Sequence, residues 1–431
     1  MQTKPFFISQ FFRSLAEAMI SPFLSVFFLF LGATKSMIGL SSTLPNFANL
    51  FSQLFWGVLS ESFKRKILII LGGIAWALMW IPIALTKNLL LLLFLLTIQA
   101  SLSAASAPAW TSLLIRITPS YKIASVQGNL SIIANFASFI GTFLAGLILN
   151  SFGFTPFLFY TIAFFGIMSR IPFFTFREHT LIFVDRNFKN MLKNTFNFSR
   201  IRKEKELTKL ILAITFLNFS VTIASPFLSV YVVENLKGSL INVAIISLIG
   251  TLTVIVFSRP WGSVVDRMRK KLVMLACILP ISLIPTIYAF SPSVEWIYFY
   301  EIIGAMSWVG FNLAAFAHLA LILPIEKADS SIAFYNFFVG LGSTFGPLVG
   351  GFVSELIGLK NLFILSSILR FLTIVFIEEL EEKKTKTKFP TLLFQFFGFA
   401  QRFENFVSMY SLVMAETLKQ GLNFLKKKVK K

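Results

Sequence analysis

Ser21-Pro-Phe-Leu-Ser-Val26 returns unchanged as Ser225-Pro-Phe-Leu-Ser-Val230, both times inside a long apolar run. Six identical residues on the same kind of element mark an internal repeat. Gly57-Val-Leu-Ser-Glu61, followed by Lys64, Arg65 and Lys66, lines up with Gly262-Ser-Val-Val-Asp266, followed by Arg267, Arg269, Lys270 and Lys271. Pro119 matches Pro324, Gly141 and Gly146 match Gly346 and Gly351, and Gly153 matches Gly358. The offset is 204 residues at the hexapeptide and 205 afterwards, so one insertion separates the first two matches. Residues from about 5 to 178 and from about 208 to 380 are two copies of one unit.

With 56% hydrophobic and 13% charged residues and a mean hydropathy of +0.78, most of this surface has lipid as its solvent. No stretch outside the tail and one central segment is polar enough for a soluble domain, which argues against a separate catalytic domain. The lone Cys277 has no intrachain disulfide partner and reads as a small core residue.

Apolar runs long enough to cross a bilayer fall at 6–32, 38–60, 67–86, 89–115, 124–150 and 154–176, and in the second copy at 209–234, 241–263, 271–290, 294–323, 330–355 and 359–378. The prediction is an all-α polytopic membrane protein of twelve transmembrane helices in two six-helix, pseudo-symmetric halves. Its parts are an N-terminal half at 1–176, a cytoplasmic linker at 177–208, a C-terminal half at 209–380 and a basic cytoplasmic tail at 381–431.

The net charge of +20 invites a nucleic-acid reading, which the location of the charges excludes. With a cytoplasmic N-terminus, the outward connections hold only Lys35, Lys87, Lys237 and Lys360. Thirty Lys and Arg fall in the inward segments, and five, Arg13, Arg116, Arg170, Arg259 and Arg370, lie within spans. The basic balance is thus a positive-inside signal, with attraction to anionic lipid at the cytoplasmic face of the cell membrane. Met1 to Pro5 is too short for a signal peptide's charged start, so the first span reads as retained helix. In the tail, apolar residues from Leu392 to Leu425 recur near helical spacing before a Lys-rich end, which fits an in-plane interfacial helix, with a disordered tail as the alternative.

These features resemble the major facilitator superfamily, twelve-helix secondary transporters built from two six-helix halves. The family carries Gly-x-x-x-Asp-Arg/Lys-x-Gly-Arg/Lys-Arg/Lys between the second and third helices of each half. The second copy keeps Gly262, Asp266, Arg267, Lys270 and Lys271, with Arg269 in the Gly position; the first keeps Gly57, Arg65 and Lys66 and has Glu61 for Asp. The resemblance implies a conformational gate there. A second family pattern, Gly-x-x-x-Gly-Pro-x-x-Gly-Gly, appears as Gly342, Gly346, Pro347, Gly350 and Gly351, small residues that let helices approach closely. In exporters of the family that pattern sits on the fifth helix; here it is on the eleventh. The family's proton-linked Arg on the fourth helix is replaced by Leu96, whose repeat equivalent is Glu301.

Charges inside a spanning helix cost about 2.5–3.5 kcal/mol on insertion scales and are therefore functional candidates. Arg13 and Glu17 lie four apart on the first helix, while their repeat counterparts are Leu217 and Val221. Glu301, Asn312 and His318 run along the tenth helix, and Gln99 and Asn218 stand on the fourth and seventh. Because the family cavity is lined chiefly by the first, fourth, seventh and tenth helices, these seven residues form the expected substrate and ion site. Asn46, Asn49, Gln53, Asn135 and Asn336 are further polar residues that either bind substrate or glue helices together.

No metal-protease, nucleophile-elbow or phosphate-loop motif is present. With one Cys and two His, a metal site is out of reach and no cofactor is implied. The expected function is secondary transport by alternating access, as a monomer: proton-coupled export of small amphipathic molecules, with no enzymatic activity and no nucleic-acid partner. A facilitator or importer of the same fold and a non-transporting receptor or scaffold are the alternatives.

Overall fold

The computed structural model describes residues 3–62, 64–118, 123–176, 205–322 and 328–381. Every regular element among them is a helix. The expected surface helix of the linker, from 177 to 204, and the basic tail beyond 381 lie outside the described residues.

Apolar runs in lipid have no water to satisfy backbone groups, so helix is the form that bonds every N–H and C=O internally. The first half comprises α1 (Lys4–Ala18), α2 (Leu24–Phe30), α3 (Lys35–Ser62), α4 (Arg65–Leu78), α5 (Trp80–Leu85), α6 (Leu89–Ser103), α7 (Ser106–Ile117), α8 (Ile123–Phe152), α9 (Pro156–Met168) and α10 (Ile171–Phe174). The second comprises α11 (Lys205–Thr222), α12 (Ser225–Glu234), α13 (Leu240–Arg267), α14 (Lys270–Phe290), α15 (Val294–Ile322) and α16 (Ala328–Glu378). Nine helical stretches among the described residues are long and apolar enough to cross a membrane. One of these, Phe334–Glu378, bends at Gly358 and supplies two crossings. The other two of the twelve are α1 with α2, and α3, which carry Arg13, Glu17, Asn46 and Asn49.

The doubled hexapeptide places a proline in the middle of the first crossing of each half. Pro22 has no N–H to offer the Ala18 carbonyl, so α1 ends at Ala18 and α2 restarts at Leu24. Thr142 Oγ1 donates to the orphaned Ala18 carbonyl at 3.3 Å. The same physics acts in α14, where Pro285 leaves the Ile281 carbonyl unpaired; buried Arg370 donates to it from Nη1 at 3.0 Å.

The repeat is visible in the backbone as well. Gly153 and Gly358, matched by the repeat, both take positive φ, at 66° and 80°. Gly32 at 79° is matched by Lys237 at 54°, the one non-glycine residue with positive φ among those described. The link between α2 and α3 is one residue shorter than that between α12 and α13, which locates the insertion there. Close packing repeats too: a methyl added to Gly141 would fall 2.3 Å from the Leu15 carbonyl oxygen, and one added to Gly346 would fall 2.8 Å from that of Phe219, each pair matching the other.

The two ends of the bundle differ. One end, here the short-link face, carries the positive-φ residues; the other, the basic-loop face, carries Lys64–Lys66 and Arg267–Lys271. Toward the short-link face one apolar core runs through both halves, from Met19, Phe23 and Phe27 to Phe227, Val243 and Phe363. Toward the basic-loop face it splits into two, one around Phe6, Ile69 and Phe173 and one around Leu210, Met274 and Leu319. Many of the chain's Phe residues, among them Phe94, Phe136, Phe164, Phe299 and Phe316, are exposed, the pattern of a surface whose solvent is lipid.

Candidate functional site

Two cavities meet at the seam between the halves. The larger, about 720 Å³, has Arg13, Glu17, Asn46, Asn49, Gln99 and Asn135 in its walls, together with Trp76, Trp80 and Leu96 from the first half and Ser247 and Thr251 from α13. The smaller, about 370 Å³, is walled by both copies of the hexapeptide, Ser21, Pro22, Leu24 and Ser25 facing Ser225, Pro226, Leu228 and Ser229, and by Glu301. Ser21, Leu24, Ser42 and Ser247 border both. The helix breaks imposed by Pro22 and Pro226 thus lie at the cavity wall, where irregular backbone is tolerated because it is not exposed to lipid.

Arg13 is held from three sides. Its guanidinium pairs with Glu17 at 2.5 Å, donates to Ser103 Oγ at 3.2 Å, and lies 3.6 Å above the Trp76 ring. The i,i+4 spacing puts both charges on one face of α1. Glu17 remains half exposed to the cavity while Arg13 is largely covered. Gln99, buried, donates to the Trp76 carbonyl at 3.0 Å, which fixes the wall of the same cavity.

Glu301 stands apart from this cluster, on α15 in the smaller cavity. Its Oε1 lies against Gly250, where an added methyl would meet it at 2.8 Å. No hydrogen bond or ion pair reaches it among the described residues, and Tyr288 is the other titratable residue of that cavity. The structure therefore brings Arg13, Glu17 and Gln99 together and puts Glu301 in the adjoining space. It does not bring Asn218, Asn312 or His318 to either cavity. Asn218 donates back to the Ile214 carbonyl at 2.9 Å and accepts from Ser343 at 3.4 Å, a helix-packing role. Asn312 is exposed, and His318 is buried between Ala315 and Leu319 of the second half's own core. Of the four crossings expected to line one space, the first borders both cavities, the fourth the larger, and the seventh and tenth the smaller.

Sequence reasoning passed over Trp76 and the cavity serines. For Trp76 a signal existed, since its repeat counterpart is Ile281 and the asymmetry marks a place where one half does something more. For the serines there was none, because Ser is common in packed membrane helices.

Two lysines of the basic loops make matched contacts within their own halves. Lys66 donates to the carbonyls of Phe174 and Phe176 at 2.9 and 2.7 Å. Its repeat partner Lys271 donates to those of Glu378 and, at 2.9 Å, Leu380. A lysine so placed satisfies orphan carbonyls at a helix C-terminus and sits at the favourable end of its dipole. Arg65, buried, donates to Ser112 at 2.8 Å, and Lys270 to the Met268 carbonyl at 3.2 Å. Asp266 and Arg267 are exposed, and no hydrogen bond or ion pair reaches Asp266 among the described residues. The surroundings of Gly57 and the side chain of Glu61 lie outside what is described.

Among the described residues, the polar contacts between halves lie on the short-link face. Lys35 pairs with Glu234 at 3.5 Å, and the Ser36 N–H, at the start of α3, donates to Glu355 at 2.9 Å. Next to them the glycine pattern of α16 works on two sides. Gly342, Gly346 and Gly350 press on α11 and the residue after it, where added methyls would fall 2.4 Å from the Thr215 carbonyl oxygen, 2.0 Å from Thr222 Oγ1 and 2.0 Å from the Ile223 carbonyl oxygen. Pro347 and Gly351 face the other half, meeting Gly39 and Lys35 of α3.

The fold and its cavities define a polytopic membrane protein in which two pseudo-symmetric six-helix halves enclose a polar space within an apolar shell. The sequence model of the Major Facilitator Superfamily matches residues 6–256 and 210–418, and the chain belongs to that superfamily. Among curated proteins it is 29% identical over 198 residues to the "Multi-drug resistance efflux pump PmrA" of Streptococcus pneumoniae serotype 4 (strain ATCC BAA-334 / TIGR4), a match covering 41% of this chain and 49%, about half, of PmrA. It is 24% identical over 377 residues to the "Multidrug resistance protein MdtG" of Enterobacter lignolyticus (strain SCF1), covering 84% of this chain and 87% of that protein. Among solved structures it resembles the nucleoside transporter NupG, at a TM-score of 0.73 and 13% identity over 89% of this chain and 100% of that one. It also resembles a bacterial homologue of the human lysosomal transporter Spinster in an inward-facing, unoccupied conformation, at a TM-score of 0.70 and 14% identity over 87% of this chain and 95% of that one. At such identities these structures speak to the fold alone.

Proposed function

We propose that this protein is a secondary transporter that exports small amphipathic molecules by alternating access, driven by protons. The observation that carries the reading is the cavity between the halves: its walls come from both copies, the apolar core is continuous above it on one face and divided below it on the other. Rocking the halves about such a space exchanges its exposure between the two sides of a membrane. The names of PmrA and MdtG support export of more than one compound.

The walls fit an amphipathic ligand through Trp76, Trp80, Leu24 and Leu96 beside Ser, Asn and Gln groups. Phe does not border either cavity among the described residues, so the abundance of Phe is a property of the lipid-facing shell and says nothing of the ligand. Proton coupling needs a carboxyl that faces the cavity and is not locked to a permanent cation. Glu17 is held by Arg13, whereas Glu301 has no cation beside it. In this reading both termini and the basic loops are cytoplasmic in the plasma membrane, the protein works as a monomer, and the described state is open toward the cytoplasm.

Flux of a lipophilic dye from proteoliposomes under an imposed pH gradient tests the whole. Wild-type protein is expected to move dye against its gradient only when the pH gradient is present. Glu301→Gln is expected to abolish that dependence while leaving downhill flux. Flux indifferent to pH would instead favour a facilitator, and no flux of any compound under any gradient would favour a receptor or scaffold.

A further inference from the structure

A third, smaller cavity of about 170 Å³ opens beside the main one, between α1, α7 and the junction of α9 with α10, with Ser9, Gln10, Arg13, Ser106, Trp110 and Arg170 in its walls. Arg13 and Ser103 border both spaces, so the two adjoin. Resting on the transport reading above, we propose that this cavity is an anion subsite, and that the molecules this protein takes are amphipaths carrying a single carboxylate.

The charge count leads there. Arg13 is neutralised by Glu17 at 2.5 Å. Arg170 is only 3% exposed, yet no carboxylate and no hydrogen-bond acceptor reaches its guanidinium among the described residues, and its Nε is buried without a partner. The Ser9 hydroxyl in the same wall, at 0% exposure, is also without a partner. The cluster of Arg13, Arg170 and Glu17 therefore carries one uncompensated positive charge inside an apolar shell, an arrangement that is costly unless a counter-charge fills it.

Arg370 on the last crossing of the other half shows what a structural arginine does. It is equally buried, and although its Nε is likewise without a partner, its Nη1 and Nη2 donate to the Ile281 carbonyl at 3.0 Å and the Val221 carbonyl at 3.4 Å. Arg170 has no such role. It is instead laid flat on Gly73 of α4, where a methyl would fall 1.8 Å from Nε, so the absence of a side chain there makes the room that positions it. A planar guanidinium held from behind presents a fork that a carboxylate matches with two charge-assisted hydrogen bonds. The apolar body of such a ligand would extend past Arg13 into the main cavity, toward Trp76 and Trp80.

The test uses three probes of one body: dansyl-undecanoate, its methyl ester, and the analogue ending in trimethylammonium. Binding is read by dansyl fluorescence on purified protein in nanodiscs of zwitterionic lipid, and flux in proteoliposomes. Wild type is expected to bind the acid roughly 10- to 100-fold more tightly than the ester. Arg170→Met is expected to bring the acid down to the ester's affinity, leave the ester unchanged, and melt no lower than wild type, because an unpaired buried charge has been removed. Arg170→Lys, which keeps the charge, is expected to retain part of the preference.

Equal binding of acid and ester by wild type overturns the proposal. So does a loss in Arg170→Met common to all three probes, which would mark a structural role. If phosphatidylglycerol added to the nanodiscs abolishes the preference for the acid, the subsite belongs to a lipid phosphate and the substrate assignment falls. Acid-selective binding without flux of any probe would overturn the transport reading and leave the anion subsite standing.

Discussion

Gly39 is the residue whose substitution separates the fold from its motion most cleanly. A methyl at this position would sit 2.3 Å from the Pro347 carbonyl oxygen and 3.1 Å from Gly351 Cα, both in the opposite half. A relaxed carbon-to-oxygen contact is about 3.3 Å, so α3 and α16 must part by about 1 Å at the short-link face. Overpacking of this size costs about 1–3 kcal/mol, and here only the closed state bears it, which shifts the balance between the two states roughly 5- to 150-fold. Gly350→Ala is the control, since its methyl would fall 2.0 Å from the Ile223 carbonyl oxygen within a single half and must disturb the fold itself. The assay is the rate at which a membrane-impermeant maleimide, applied from the extracellular side, labels a cysteine at Ser229 in the wall of the smaller cavity. The lone native thiol, Cys277, is buried and is replaced by alanine in this background. Gly39→Ala is expected to raise the labelling rate at least fivefold with an unchanged melting temperature, and Gly350→Ala to lower the melting temperature. Labelling unaffected by Gly39→Ala, or a loss of stability equal in both variants, would refute the division of this glycine pattern into a face that folds and a face that gates.

Two further consequences concern the repeat. Lys66→Met and Lys271→Met should each cost about 1 kcal/mol, read as lower melting temperatures, and should add in the double variant because the two helix ends lie in different halves; a loss confined to one lysine would mean the matched contacts are not equivalent. Lys237→Gly should stabilise the protein by about 1 kcal/mol by relieving left-handed backbone that Gly32 adopts freely at the matched position, and a lower melting temperature would show that the Lys237 side chain matters more than the strain.

Much of this architecture is legible in the chain because lipid is a severe solvent. Twelve crossings follow from where apolar runs are long enough. The repeat even identifies the four residues with positive φ as two matched pairs, although Lys237 hides its partnership with Gly32 because its identity changed while its backbone did not. The site was legible where symmetry breaks: Arg13 and Glu17 face Leu217 and Val221 in the other copy, and the pair does line the main cavity. It was not legible where a polar residue has a helix partner close by. Asn218 bonds to its own helix and His318 lies in a core, and no periodicity distinguishes these from cavity residues one turn away. The basic loops show the same limit. A charge pattern names the face of the membrane, but only three-dimensional packing reveals that Lys66 and Lys271 hold the last helix of their own half.

The balance of contacts on the two faces bears on how such a machine turns over. The halves are joined at the short-link face by a pair of half-exposed charges, Lys35 and Glu234, which contribute about 0–1 kcal/mol, and by the bond from Ser36 to Glu355, about 1 kcal/mol, over a glycine-packed seam. Toward the opposite face, among the described residues, each half keeps its own buried apolar core. The polar part of that latch is within reach of ligand binding, because each 1.4 kcal/mol of preference for the other state is a factor of about ten in population, while the apolar core shared by the halves on this face, from Phe23 to Phe227 and Val243, adds to what must be opened. Gly39 and Gly351, meeting across the seam beside Pro347, thus do two things at once: they bring backbones close enough to seal the cavity, and at this one contact they keep the side-chain area that must be separated small.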